Sequence, residues 1–202
     1  MANHVSTHVD FQKISDEGKA FLNKLYEDRV RKEHRWFPDF FVDGETLTYE
    51  QSEMYDYTID NIGAKWSYIE DFDPEYSTMN ITSAWSCPDE GLVKLLEMIG
   101  EVDPNVVAYI RYEDEMPNFI GAQVMTANGI EEYMQLESEE LMEKIFDEVE
   151  GLREHWDEDE MEFDDEGQDM YYENLWEIIN EVQENFLDEE GQFYLDGEHN
   201  AE

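Results

Sequence analysis

Apolar positions along the chain follow two rhythms, one of period two and one of helical spacing. Asn3 to Phe11 is β-branched and partly alternating, which predicts a strand. Phe21, Leu22, Leu25 and Tyr26 then recur at helical spacing behind Ser15, an N-cap residue with Asp16 and Glu17 in the first turn, so a helix is expected over 15–33. Residues 36–62 are aromatic, contain Gly and lack a period; they are expected to be irregular around a short helix at 49–58. Two β-rich runs, 65–72 and 77–85, flank Asp73-Pro74-Glu75 and predict a hairpin. Pro88 opens a helix to Ile99 with Leu92, Leu95, Leu96 and Ile99 inward. Strands are expected at 106–112 and 119–126 around Met116-Pro117-Asn118, with a short one at 132–136. Ser138, with Glu139 and Glu140 behind it, is expected to cap a helix through Leu152. Residues 154–169 hold ten acids and predict a loop or a poorly ordered bridge. The last helix is expected over 170–187, burying Tyr172, Leu175, Trp176, Ile179, Val182 and Phe186. No internal repeat is present.

The order strand, helix, hairpin, helix, hairpin predicts an α+β fold with an antiparallel sheet, and acidic helices follow it. Gly63-Ala64-Lys65-Trp66, Ile81-Thr82-Ser83-Ala84-Trp85-Ser86-Cys87-Pro88, Tyr109 through Tyr112-Glu113-Asp114-Glu115, and Phe119-Ile120-Gly121 resemble the ferredoxin-like domain of YubB-type proteins, which plasmids and phages carry. The opening Met1-Ala2-Asn3-His4-Val5 is similar too. The resemblance covers roughly residues 1–130. It implies a ferredoxin-like α+β domain there and an origin on a mobile element, and it carries over no catalytic residue. The family mostly has Pro where this chain has Cys87. Residues 131–202, an acidic helical module expected to pack on the first domain, lie outside the family pattern. "Ferredoxin-like" names topology alone, because one cysteine excludes a four-Cys cluster within the chain.

Charge changes the picture most. The chain carries 54 Asp and Glu against 12 Lys and Arg, a net −42 over 202 residues. Self-repulsion of that size destabilises a compact state, so its retention points to use: a large negative field attracts a basic surface. The acids are not evenly placed. Seven basic residues (Lys13, Lys19, Lys24, Arg29, Arg31, Lys32 and Arg35) nearly cancel the acids of the first 35 positions. From Glu131 onward only Lys144 and Arg153 are basic, and the last 72 residues carry about −27. With 41% hydrophobic and 14% aromatic residues the chain is no disordered acidic tail. A salt-adapted surface is the competing explanation; the excess of Glu over Asp and the many large aromatics speak against it. No signal peptide is expected from Met1 to Asp10, no apolar run approaches bilayer length, and a single Cys suits a reducing cytoplasm.

Candidate chemistry is thin. His4 and His8 lie four apart on an expected strand, about 13 Å from one another, too far to share a metal. The EF-hand pattern, a Walker loop, Gly-x-Ser-x-Gly and HExxH are absent from the sequence. Cys87 reads as a small buried residue, and Trp66 and Trp85 as core or partner contacts, since phosphate would repel so anionic a chain. No cofactor, no metal and no enzymatic activity are expected.

Rows of carboxylates remain. Glu139, Glu140, Glu143, Asp147, Glu150 and Glu154 approximate one row at helical spacing; Glu173, Glu177, Glu181 and Glu184 form a second, opposite the apolar face of the last helix. Like charges at these spacings destabilise an isolated helix. The expected function is a non-enzymatic inhibitor or decoy that mimics nucleic acid and occupies the nucleic-acid-binding cleft of a basic host protein. Restriction enzymes, CRISPR effectors, nucleases, nucleoid proteins and RNA polymerase are candidates. The alternative is an acidic regulatory or chaperone-like module for a basic partner without mimicry.

Overall fold

The computed structural model describes residues 3–157 and 160–196. Six antiparallel strands form its main sheet: β1 (His4–Lys13), β2 (Ser67–Asp73), β3 (Thr78–Ala84), β4 (Val107–Asp114), β5 (Phe119–Thr126) and β6 (Gly129–Glu137), in the order β2-β3-β1-β4-β5-β6. Helix α1 (Asp16–Arg29) links β1 to the β2–β3 hairpin, and α4 (Asp89–Gly100) links β3 to β4. The first four strands and these two helices therefore make the β-α-β-β-α-β ferredoxin-like arrangement. Strands β5 and β6 extend it as a meander on the β4 edge. Strand β6 crosses residue 130, so the sheet runs on beyond the expected domain boundary.

One face of the sheet is covered by α1 and α4. Val5, Val9 and Phe11 of β1, Met79 and Ile81 of β3 and Ile110 of β4 meet Leu22, Leu25, Leu92, Leu95, Leu96 and Ile99 there. All four expected inward residues of α4 are buried, each contributing roughly 1.5–3 kcal/mol relative to exposure. Ser15 caps α1 through Gly18 N–H, as its position predicts, but the helix stops at Arg29 rather than near 33. The reason is a buried ion pair that turns the chain: Asp39, fully buried, accepts from the Arg31 amide at 3.1 Å and from its Nε and Nη2 at 2.8 Å each. Residues 36–62, expected to be irregular, contain a 3₁₀ turn at Phe37–Phe41 and two short helices, α2 (Tyr49–Ser52) and α3 (Tyr55–Ile62), in place of the single helix at 49–58. Phe37, Phe40 and Ile62 fill the core under them.

The second face of the sheet is covered over β4, β5 and β6 by α5 (Ser138–Glu148) and α6 (Asp165–Asp196). Helix α5 is shorter than expected, ending at Glu148, and its capping residue is Glu137, which forms a capping box with Glu140 in place of a Ser138 cap. Gly151 at φ 86° turns the chain out of the helix. Helix α6 extends beyond the expected 170–187 at both ends, and its buried face differs. Its N-terminal half buries Leu175, Ile178 and Ile179 against Leu141, Ile145 and Leu152. Its C-terminal half sets Leu187 on Val107, Tyr109, Ala122 and Val124. Between them, fully buried Gln183 donates to the carbonyls of Tyr112 (3.1 Å) and Gly121 (3.0 Å). Gly191 permits the close approach, since a Cβ there would strike the Tyr109 hydroxyl. Tyr172 and Trp176, expected to be inward, are exposed instead.

Of residues 154–169, Glu158 and Asp159 lie outside the described residues, and the described ones are not the expected loop. A 3₁₀ turn (Leu152–His155) leads into a small hairpin of β7 (Trp156–Asp157) and β8 (Glu162–Phe163), whose Trp156 and Phe163 pack with Phe146 and Tyr171. Asp164 caps α6 through Gly167 N–H at 2.8 Å and pairs with His155 at 3.0 Å. The Asp164 hydrogen bond raises the His155 pKa above 6.5; Gly167 N–H, then His155, lower the Asp164 carboxyl below 3.8. The raised histidine stabilises the fold fully below about pH 6.5 and loses that contribution as pH rises through its folded value. The depressed carboxylate stabilises above about pH 3.8 and loses its contribution as pH falls through its folded value. The hairpin is therefore held best between about pH 4 and 6.5. An NMR titration should place His155 above 6.5, and Asp164→Asn should lower it; an unchanged midpoint would show that the pair does not form.

Candidate partner-binding surface

All ten carboxylates singled out in the two rows are exposed. The structure does not keep the first row intact. Glu139, Glu140, Glu143 and Asp147 lie on α5, but Glu150 follows the helix end and Glu154 lies in the 3₁₀ turn, so six residues at helical spacing become four. Glu143 is also spoken for: Arg153 pairs with it at 2.6 Å, stacks over Phe146 at 4.4 Å, and draws its carboxyl pKa down.

The second row is continuous. Glu173, Glu177, Glu181 and Glu184 stand at steps of four, four and three along the 32-residue α6, and Asp188 continues it. A helix of that length spans about 48 Å. It carries eleven Asp and Glu and no Lys or Arg. The helix is rigid because both halves of its inner face are buried, so the stripe has a fixed geometry. Among the described residues, Glu184 alone of this stripe has a cationic partner, Arg111 of β4 at 3.1 Å.

That ion pair marks a site the sequence reading missed. Among the described residues, no helix covers the second sheet face over β1, β3 and β2. Pairing register places Ser6 between Thr82 and Glu113, His8 between Asn80 and Arg111, and Asp10 between Thr78 and Tyr109. A groove of about 310 Å³ runs between this floor and α6, lined by Asp10, Gln12, Tyr109, Arg111, Glu184 and Asp188 among others. His8 Nδ1 lies 2.7 Å from Asn80 Oδ1. Burial raises the Glu113 pKa, against the Ser6 hydroxyl, Arg111, His8 and Gln183, which lower it. The signal for this floor was the same alternation that predicted β1: its outward positions are His4, Ser6, His8 and Asp10, all polar.

Aromatic rings close the far side of the floor. Trp36, Tyr68, Trp66 and His4 form a chain of ring contacts at 4.8, 5.5 and 5.3 Å. Around the same end of the sheet, Met54, Tyr55, Ile59 and Trp85 are exposed, Trp85 at a strained φ of 76°. Cys87 is buried in a polar cluster, its thiol 3.8 Å from the Thr7 hydroxyl, and Asp89 reaches Gln123 at 3.2 Å. Burial and the neighbouring Asp89 push the thiol pKa well up, away from thiolate chemistry.

No protein-family model matches the chain, and no curated protein or solved structure matches it. What the geometry defines is an acidic α+β protein with a rigid carboxylate helix beside a half-open sheet. Among the described residues no helix is long and apolar enough to cross a membrane.

Proposed function

We propose that the protein is a non-enzymatic, cytoplasmic decoy that occupies the nucleic-acid-binding surface of a basic partner, with the carboxylates of α6 standing in for phosphates. The observation that carries this reading is the α6 stripe: acidic residues alone, at helical spacing, on a helix fixed along its length. Eleven carboxylates over about 48 Å give roughly one charge per 4–5 Å. One DNA strand carries one per about 3.4 Å and the duplex one per about 1.7 Å of axis. The helix therefore approximates the linear charge of one strand. A restriction enzyme, a CRISPR effector, a nuclease, a nucleoid protein or RNA polymerase would present the matching basic groove. A phage or plasmid origin, as the YubB-type resemblance implies, gives such a decoy its use against host defence.

The test is competition. Added protein should displace labelled DNA or RNA from its partner, and the displacement should weaken steeply between about 50 and 200 mM salt as the screening length shortens. A partner that holds nucleic acid and this protein at once would refute the decoy and leave an acidic regulatory or chaperone-like module in its place.

A further inference from the structure

The half of the sheet face left open by α6 has two walls of different chemistry. On one side stand Glu184 and Asp188 of α6, with Asp10 and Glu113 at their feet. On the other stand the rings of Tyr68 and Trp66. The row Tyr68–Thr82–Ser6–Glu113 crosses four adjacent strands. At about 4.8 Å per strand the walls are roughly 14 Å apart at this row. That width admits one polypeptide segment.

The floor decides which kind. An amphipathic helix would lay an apolar stripe onto Ser6, His8, Asn80 and Thr82, a polar floor that it would strip of water without offering hydrogen bonds in return. An extended segment offers alternating polar groups to them. The charge decides the side chains. The two cations on the α6 side are already engaged, Arg111 by Glu184 and Lys13 by the Leu195 carbonyl at 2.9 Å, so the acids of the groove outnumber them. The molecule itself displays what suits a carboxylate beside a ring. Arg31 stacks on Tyr49 at 4.4 Å while paired with Asp39 and Glu53, and Arg153 stacks on Phe146 while paired with Glu143. Ammonium also lies over a ring here, Lys65 above Tyr55 at 6.0 Å, but as a compact point charge; the planar guanidinium stacks closer and offers a fork of donors to carboxylates at the same time.

We infer that the open sheet face between Tyr68 and Glu184 binds an extended, arginine-bearing segment of polypeptide. This deepens the decoy reading and rests on its basic partner: it names the part of that partner, a flexible arginine-rich strand, that enters the groove beside the α6 stripe.

A nine-residue arginine peptide, fluorescently labelled, tests the groove without any nucleic acid, so its result stands apart from the competition experiment. A lysine peptide of equal length is the control for plain charge attraction. Tyr68→Ala removes the exposed ring, and Ser6→Trp fills the floor; neither alters net charge. Each should weaken the arginine peptide about tenfold, and Tyr68→Ala should affect the lysine peptide less than twofold. Glu97→Gln with Glu101→Gln, exposed at the end of α4 on the other face of the sheet, should change arginine binding less than twofold. Amide shifts on adding the peptide should concentrate in β1 and β3. If the α4 variant weakens binding as much as Tyr68→Ala and Ser6→Trp do, or if the shifts spread over the outer faces of α5 and α6, the peptide is merely adsorbed to acid and the assignment is wrong.

Discussion

Replacing Glu173, Glu177 and Glu181 together by Gln is expected to weaken partner binding about 100-fold while raising thermal stability. These three stand mid-stripe on α6 and, among the described residues, have no cationic partner, unlike Glu184. An ion pair at 4 Å in water is worth about 1 kcal/mol, so three lost pairs remove about 3 kcal/mol, and tenfold corresponds to 1.4 kcal/mol. The same change relieves like-charge pairs three and four residues apart, each about 0.2–0.5 kcal/mol. For a chain of this size that relief raises Tm by about 1–4 °C. Affinity, read by calorimetry or anisotropy at 100 mM salt, and Tm, read by circular dichroism, should thus move in opposite directions. A loss of both would mean that the stripe supports the fold, and an unchanged affinity would place the partner elsewhere.

The second large effect is on stability. Arg31→Ala is expected to cost about 3–5 kcal/mol and to lower Tm by about 10 °C, because it strands the fully buried Asp39 carboxylate with a single backbone donor. The same guanidinium reaches Glu53 at 2.8 Å and stacks on Tyr49, so one side chain ties together the end of α1, the 3₁₀ turn and α2. Asp39 and Glu53 hold its own pKa well above the ordinary arginine value, against the opposing effect of desolvation. The double variant Arg31→Met with Asp39→Leu should recover most of the loss, since an apolar pair carries no desolvation penalty. Denaturant unfolding of the three variants decides the matter. A cost below 1 kcal/mol for Arg31→Ala would show that Asp39 reaches water. No recovery in the double variant would show that the pair fixes the turn by direction as well as by charge.

Local pattern made much of this fold legible. Leu92, Leu95, Leu96 and Ile99 repeat at helical spacing and are buried in α4. Alternation over residues 3–11 marked β1, and Asp73-Pro74-Glu75 marked the β2–β3 turn. The exposure of the acidic rows was legible for the same reason: a carboxylate is held at the surface by its hydration whatever the tertiary contacts.

What the sequence could not decide depended on partners distant along the chain. Ten acids made residues 154–169 look like a loop or a poorly ordered bridge, yet Asp164 is a cap and the helix begins directly after it. Tyr172 and Trp176 carry the larger apolar surfaces, but α6 turns Gln183 and Gly191 inward. The two carbonyls that Gln183 satisfies and the ring that Gly191 clears belong to β4 and β5, some 60 to 80 residues earlier. The strand order, and with it the half-open sheet face, was likewise fixed by long-range pairing. Periodicity tells which positions share a face of an element. It does not tell what the face will meet, and here the meeting of α6 with only half a sheet created the groove.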